Sequence, residues 1–374
     1  MNADPGSASI DAGPASNADS APVASDCDWA LHFDSCALPA PPRDPLTLVA
    51  GAPWLFNTTL ASFVPPILGS TFVTKVVRQT SGGPDVLVLY TAAFRLPDNA
   101  ILNVTGDKPL VIASDSTIDL RGTLDVSGQV AGQLIRGPGA NNDQCSRELD
   151  GSSDGDGGGG GGGGFAAGGG PGGAGNDSDG GVPGNLVTLP KFIRGGCPGG
   201  AGGKSSGGRG GDGGGAIELA ARDAISVSGN INAGGAGGGG GGVLQAGGGG
   251  GGGGSGGMVS LDAQRVTVAA SAKIAANGGG GGGGADKAGG GANGGNAALV
   301  ASGALGGASD RGHDGGLGGA VNPLAGGAGK GRDENGGGGG GGGAVGFVLI
   351  HTGSFSAQGA ISPFAAQLPF QTGS

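Results

Sequence analysis

The chain is poor in the residues from which most catalytic and binding sites are built. Its three histidines, His32, His313 and His351, are far apart, and there are two tryptophans and one tyrosine. No histidine stands in a suggestive pattern with a serine or cysteine, so a nucleophile–base triad is not expected. Ser255 falls in a G-x-S-x-G string (253–257) without a strand-to-helix setting, and 198–205 imitates a phosphate loop without its first glycine or a following helix; glycine abundance produces both by accident. Charged residues are 13% of the chain, the net charge is −10, and basic residues stand singly (Lys191, Arg194, Lys204, Arg209), which argues against nucleic acid as a partner. A transmembrane helix is not expected, because no run of ~18 apolar residues exists. The segment 1–26 lacks the basic start and apolar centre of a signal peptide and reads as a disordered tether, with a secretion signal expected upstream of it.

What the chain has is glycine. Glycine (99) and proline (21) make up 120 of 374 residues, far beyond ordinary usage. Much of it lies in solid runs at 157–164, 237–242, 247–254, 278–284 and 336–343, not at every third place, which excludes collagen. Ordering glycine costs more backbone entropy than ordering any other residue. The runs are therefore either flexible linkers or side-chain-free polyglycine-II rods of threefold, polyproline-II geometry that pack side by side. Their matched lengths, with the apolar tips Phe165 and Val243-Leu244 between them, favour rods.

Between the runs a motif recurs. Ile217 and Val259 are 42 apart, Leu219 and Leu261 42, Val227 and Val268 41, Ile231 and Ile274 43. Each unit holds three short segments of apolar–polar alternation, a strand signature. A fixed period of this size indicates stacked coils that bury each other's apolar edge. The expected fold is all-β: a right-handed parallel β-solenoid with long polyglycine excursions, Ile, Val and Leu stacked inside and Glu218, Ser226 and Asn230 facing water. Its parts are a tether (1–26), a Cys-bracketed segment (27–45), a β-rich cap (46–92), first coils (93–136), a Gly/Asp-rich insertion (137–215), glycine-interrupted coils (216–363) and a tail (364–374). His351, at the end of an apolar strand, reads as a surface residue.

Four cysteines without a CxxC make zinc improbable. Cys27 with Cys36, and Cys145 with Cys197 across the insertion, are the expected disulfides, suited to an oxidising compartment. Asp150, Asp154 and Asp156 alternate like an oxygen-rich calcium loop with Gly155 at its turn, and 172–177 followed by Asp179 begins like a calcium-binding nonapeptide that includes Asp177. A solvated acidic loop competes with one calcium site holding the insertion; no other cofactor is implied.

The order of a strand-rich head, the segment 118–128, coils of the type Gly-Gly-x-Ile-x-Leu, and a closing Gly-Ala-Ile-Ser-Pro resembles large glycine-rich β-helical surface proteins of environmental bacteria, myxobacteria especially. The resemblance spans 46–363 and implies the fold and a secreted or envelope location, with no chemistry. The expected role is a non-enzymatic spacer, adhesin or matrix component at the cell surface or outside the cell. Its contacts would be envelope or extracellular polysaccharide or other copies of itself, made through the tips Phe165, Val243-Leu244 and 186–193. A solenoid lyase or hydrolase would need clustered carboxylates on one groove, and an ice-binding module a regular outward row of threonines; the coils offer neither pattern.

Overall fold

A computed structural model describes residues 29–370 apart from 52, 70, 132, 147, 244–246, 311–312 and 332–335. Its ordered elements are all β except for one turn of 3-10 helix at Ser35–Ala37. The head contributes β1 (Leu46–Thr47), β2 (Pro53–Asn57), β3 (Ser62–Val64), β4 (Val73–Val77), β5 (Val86–Thr91) and β6 (Phe94–Leu96). Then come β7 (Ile101–Thr105), β8 (Leu110–Ser114), β9 (Thr117–Leu120), β10 (Thr123–Asp125), β11 (Gln129–Ala131) and β12 (Gln133–Ile135). After the insertion follow β13 (Ala216–Val227), β14 (Asn230–Asn232), β15 (Met258–Val268), β16 (Lys273–Ala275), β17 (Phe347–Ala357), β18 (Ala360–Ser362) and β19 (Ala366–Leu368).

The repeat appears as register. Ile217 pairs with Val259, Leu219 with Leu261 and Val227 with Val268 between parallel β13 and β15; Ile231 pairs with Ile274 and Ile274 with Ile361 along parallel β14, β16 and β18. The two expected segments at the start of each unit are fused. β13 is one strand of 12 residues with a register irregularity between Ala221 and Ala224, and its halves sit on β8 and β9 respectively. The same parallel pairing reaches back into the head, where β5, β6 and β2 pair with β8, β9 and β7.

The architecture is not purely parallel. β4 lies antiparallel to β5 and β3 antiparallel to β2, so the ten-stranded and the seven-stranded sheets are both mixed. These hairpins fall at the N-terminal end of the stack, where they occupy sheet edges that would otherwise offer unpaired backbone. Between the sheets lies the main core, with Leu102, Leu124, Ile231 and Ile274 on one side and Leu89, Ile112, Leu219, Leu261 and Ile350 on the other.

The glycine runs pack into a bundle ordered by backbone hydrogen bonds at a period of three. Gly157, Gly160 and Gly163 donate to Gly247, Gly250 and Gly253; Gly159 and Gly162 donate to Gly173 and Gly170; Gly158 and Gly161 donate to Ser152 and Leu149. The same run accepts from Gly338, Gly341 and Ala344, from Gly200 and Gly203, and from Gly181 and Gly184. The run 157–163 therefore bonds six neighbouring segments, three as donor and three as acceptor. Segment 247–257 does the same with 157–163, 197–203, 208–214, 233–242, 279–285 and 338–344. Segments 278–285 and 337–346 are likewise ringed by six. These four are the interior of a hexagonal array, and every residue in them is buried.

Steric demand, not backbone conformation, fixes the residue type there. None of the interior glycines has φ in the left-handed range, so alanine would be conformationally acceptable. A Cβ on Gly159 would lie 2.0 Å from the Gly339 carbonyl oxygen and one on Gly252 2.0 Å from that of Gly161, distances only a bare Cα–H tolerates. Around the interior the perimeter segments carry side chains on their outer side: 293 and 296 are exposed, as are 302, 305 and 308. Asn293 and Asn296 also turn their amide oxygens to the N–H groups of Gly240 and Gly237 (2.9 and 3.0 Å), supplying acceptors where 233–242 lacks a backbone partner.

Candidate functional site

Alternation along β13 predicts one wet face, and the structure instead buries both. Ile217, Leu219 and Ala221 enter the main core, while Ala216 and Ala220 enter a second apolar layer with Met258, Leu349, Phe165, Ile193 and, from the N-terminal segment, Phe33. The second layer exists because residues 29–38 lie as a strap across the large sheet. Phe33 bridges to Gln79, and the Thr80 N–H bonds the His32 carbonyl at 2.9 Å. Trp29 meets Phe33 edge-on at 6.2 Å and Tyr90 at 6.4 Å.

Beneath the strap sit four titratable side chains. Glu218, expected to face water, is 0% exposed, as is Asp262, which is in register with Ala220 on one side and His351 on the other. His32 Nδ1 is 2.9 Å from Glu218 Oε1, and His351 Nδ1 is 2.6 Å from Asp262 Oδ1. The Leu31 N–H donates to Asp262 Oδ2 at 2.6 Å. Glu218 Oε2 and the neighbouring Ser260 hydroxyl are buried without a hydrogen-bond partner. His351, expected at the surface, is mid-strand and 13% exposed, its ring 4.8 Å from that of Phe370. Burial pulls the His32 imidazole down, but the Glu218 carboxylate and its hydrogen bond outweigh this and hold it above its ordinary value of 6.5. Burial pushes the Asp262 carboxyl up, the bond from His351 opposes this, and nearby Glu218 adds to it; the net is upward from 3.8. Position along the sequence hides this cluster, since His32 and His351 stand at opposite ends of the chain. The available signal was a carboxylate inside the apolar first half of each of two strands at same-face positions, Glu218 and Asp262.

The expected calcium residues divide. Asp154, Asp177 and Asp179 line one cavity of about 200 Å³ with Ser152 and Ser178, and Gly155 has the left-handed φ of 49° that its place in the turn called for. Asp150 and Asp156 serve the bundle instead, accepting from the N–H groups of Ala201 (2.7 Å) and Gly247 (2.9 Å). Among the described residues no group of three His, Cys, Asp or Glu side chains is arranged to hold a metal ion.

Cys145 and Cys197 form the expected disulfide, with Cα atoms 5.4 Å apart. Cys27 lies outside the described residues, so its pairing with Cys36 is not described. The Arg194 guanidinium lies against the Cys145–Cys197 bridge, bonding Cys197 Sγ at 3.0 Å and Gln144 Oε1 at 3.1 Å, and stacks over Phe165 at 4.9 Å. Burial lowers its pKa to about 10. Phe165 is not the exposed tip expected of it. It is 0% exposed and meets Phe347 edge-on at 4.9 Å. Of the other tips, Val243, Leu186 and Leu189 are exposed, whereas Ile193 is buried and Leu244 lies outside the described residues.

Among the described residues no helix is long and apolar enough to cross a membrane. Comparison with protein-family models, curated proteins and solved structures finds no match to this chain.

Proposed function

We propose that this chain is a non-enzymatic structural or adhesive protein of the cell surface or the extracellular space, built as a right-handed parallel β-solenoid that carries a polyglycine-II bundle. The observation that carries this reading is the bundle itself. Its interior segments spend their backbone donors and acceptors on one another, and in their solid glycine runs contribute no side chains. Such an interior has no chemistry to offer, and its product is shape: a stiff body whose perimeter presents small and apolar residues, Leu305, Leu317 and Val182 among them, at exposed positions. Right-handedness follows the general preference of parallel crossovers. The disulfide suits an oxidising compartment.

The reading is tested in the native host by labelling intact cells and culture medium with a membrane-impermeant amine reagent, then assaying sedimentation of the purified protein with cell-envelope polysaccharide. Labelling outside the cell together with co-sedimentation is expected. A protein found only in the cytosol overturns the reading. Hydrogen exchange adds a structural check: amides of 157–164, 247–254, 278–284 and 336–343 are expected to exchange as slowly as those of β13 and β15.

A further inference from the structure

The four groups under the strap are coupled to whether the strap stays down. His32 is on the strap, and so is the Leu31 N–H that holds Asp262 Oδ2. Glu218, Asp262 and His351 belong to β13, β15 and β17 of the body. The remaining groups facing this space are apolar or turned aside. β5 and β8 present Val88, Val111 and Ala113, and the insertion presents Phe165 and Ile193. The Tyr90 hydroxyl bonds Asp115, which also pairs with Arg222 at 3.1 Å; burial, then Asp115, pushes the Tyr90 pKa up to about 12, so it stays neutral. Lys75 donates to the Ala37 carbonyl at the far end of the strap, where Asp34 caps the short helix. No basic side chain other than His32 and His351 is bonded to Glu218 or Asp262 among the described residues.

The charge balance at Glu218 then depends on His32. With His32 protonated, the Glu218 carboxylate has an opposite charge 2.9 Å away. With His32 neutral, that carboxylate is buried without a compensating cation, and its Oε2 already lacks a donor. A buried uncompensated charge is costly, and lifting the strap relieves it by letting water in. The geometry points to residues 29–38 as a pH-sensitive latch, closed in mild acid and opened as the pH rises, that frees the N-terminal segment and uncovers an apolar sheet face.

The direction follows from proton linkage. His32 is held above 6.5 and Asp262 above 3.8 in the closed form, so the closed form holds more protons than the open one. Its stability is therefore lost as the pH rises above 6.5 through the raised value of His32, and Asp262 acts in the same sense from 3.8 upward.

The test uses the full oxidised chain with Trp54→Phe, leaving Trp29 on the strap as the fluorescent reporter. Between pH 5.5 and 8.5 the opening equilibrium is expected to move progressively toward the open form, while far-UV circular dichroism stays constant. Glu218→Gln removes one buried charge and is expected to keep the strap closed to higher pH; His32→Gln is expected to abolish the pH response at the strap. His351→Gln, on the body and away from the strap, provides a second route if either variant fails to fold, and is expected to shift the midpoint without removing the transition. A Trp29 signal flat across this range in the otherwise unaltered chain, or an unchanged midpoint in Glu218→Gln, overturns the proposal.

Discussion

Replacing one interior glycine by alanine is the sharpest test of the bundle. In Gly252→Ala the new methyl would sit 2.0 Å from the Gly161 oxygen and 2.5 Å from its carbonyl carbon. An ordinary contact begins near 3.4 Å, so the two segments must part by 1.4 Å (3.4 minus 2.0). There is nowhere to go. The same run meets 157–163 again through Gly249, which is 2.0 Å from the Gly158 oxygen on the same measure, and meets 279–285 through Gly250, 2.1 Å from that of Gly282. Overpacking of this kind costs about 1–3 kcal/mol. Displacement also strains the bond from the Gly252 N–H to Gly200 and the bond it accepts from Gly211 (both 2.8 Å), and a buried polar group left unpaired costs about 1–3 kcal/mol. Against this, alanine lowers the entropy of the unfolded chain, worth about 0.4–1 kcal/mol of stability. The expected net loss is about 3 kcal/mol.

The paired control is Gly168→Ala on the perimeter, where the nearest atom to an added Cβ is 3.8 Å away and φ is not left-handed. Only the unfolded-state gain applies there, so the variant is expected to be neutral or up to about 1 kcal/mol more stable. Urea unfolding, followed by hydrogen exchange of the glycine amides, measures both. If the two variants unfold within about 0.5 kcal/mol of each other, the glycines are not packed as described and the argument from close approach fails.

Three further outcomes are expected. Cys145→Ser with Cys197→Ser opens a loop of 52 residues and should cost about 4 kcal/mol by loop-closure entropy, read as a lower urea midpoint than that of the oxidised wild type. Phe165→Ala removes a fully buried ring that supports both Phe347 and Arg194, so a loss of about 3–5 kcal/mol is expected in thermal unfolding; a loss below 1 kcal/mol would return Phe165 to the role of an exposed tip. Asn293→Ala and Asn296→Ala each remove the side-chain acceptor of one perimeter amide, Gly240 and Gly237, and should cost about 1 kcal/mol with faster exchange confined to those two amides.

Much of the stack was legible because period-two apolar alternation repeated at offsets near 42 is satisfied by setting β-branched residues on one another in register, as Ile217–Val259–Val348 are. The fusion of two segments into β13 was hidden because Ala-Arg-Asp-Ala, which reads as a turn, is crossed by a register irregularity instead of a break. Which glycine runs lie inside was partly legible. Solid glycine marks a segment with neighbours on every side, whereas a segment that admits Leu317 or Asn293 at one position in three has a free side. The second apolar layer was not legible. A strap from the N-terminus and an island from the insertion cover the outer face of the large sheet, and covering by sequence-distant pieces leaves no local pattern. Glu218, Phe165 and His351 were all misplaced for this one reason.

The stack and the bundle need each other on energetic grounds. Each net backbone hydrogen bond contributes about 1 kcal/mol, while ordering one residue costs about 1–2 kcal/mol and glycine more than most. With one donor per residue and no apolar side chain to bury, a glycine segment cannot order itself. The chain places three of the four interior segments next to a strand that the apolar core has already fixed: 247–257 runs into β15, 337–346 into β17 and 278–285 leaves β16, as the perimeter segment 233–242 leaves β14. Their ends are therefore aligned and spaced by the sheets, so the glycine bonds need only be completed. The dependence also runs the other way, because Phe165, at the end of the run 157–164, closes the second apolar layer over Phe347. Damage to an interior glycine should therefore be felt at β17 before it reaches the head strands, and exchange at 347–350 should rise before exchange at 86–91 in Gly252→Ala.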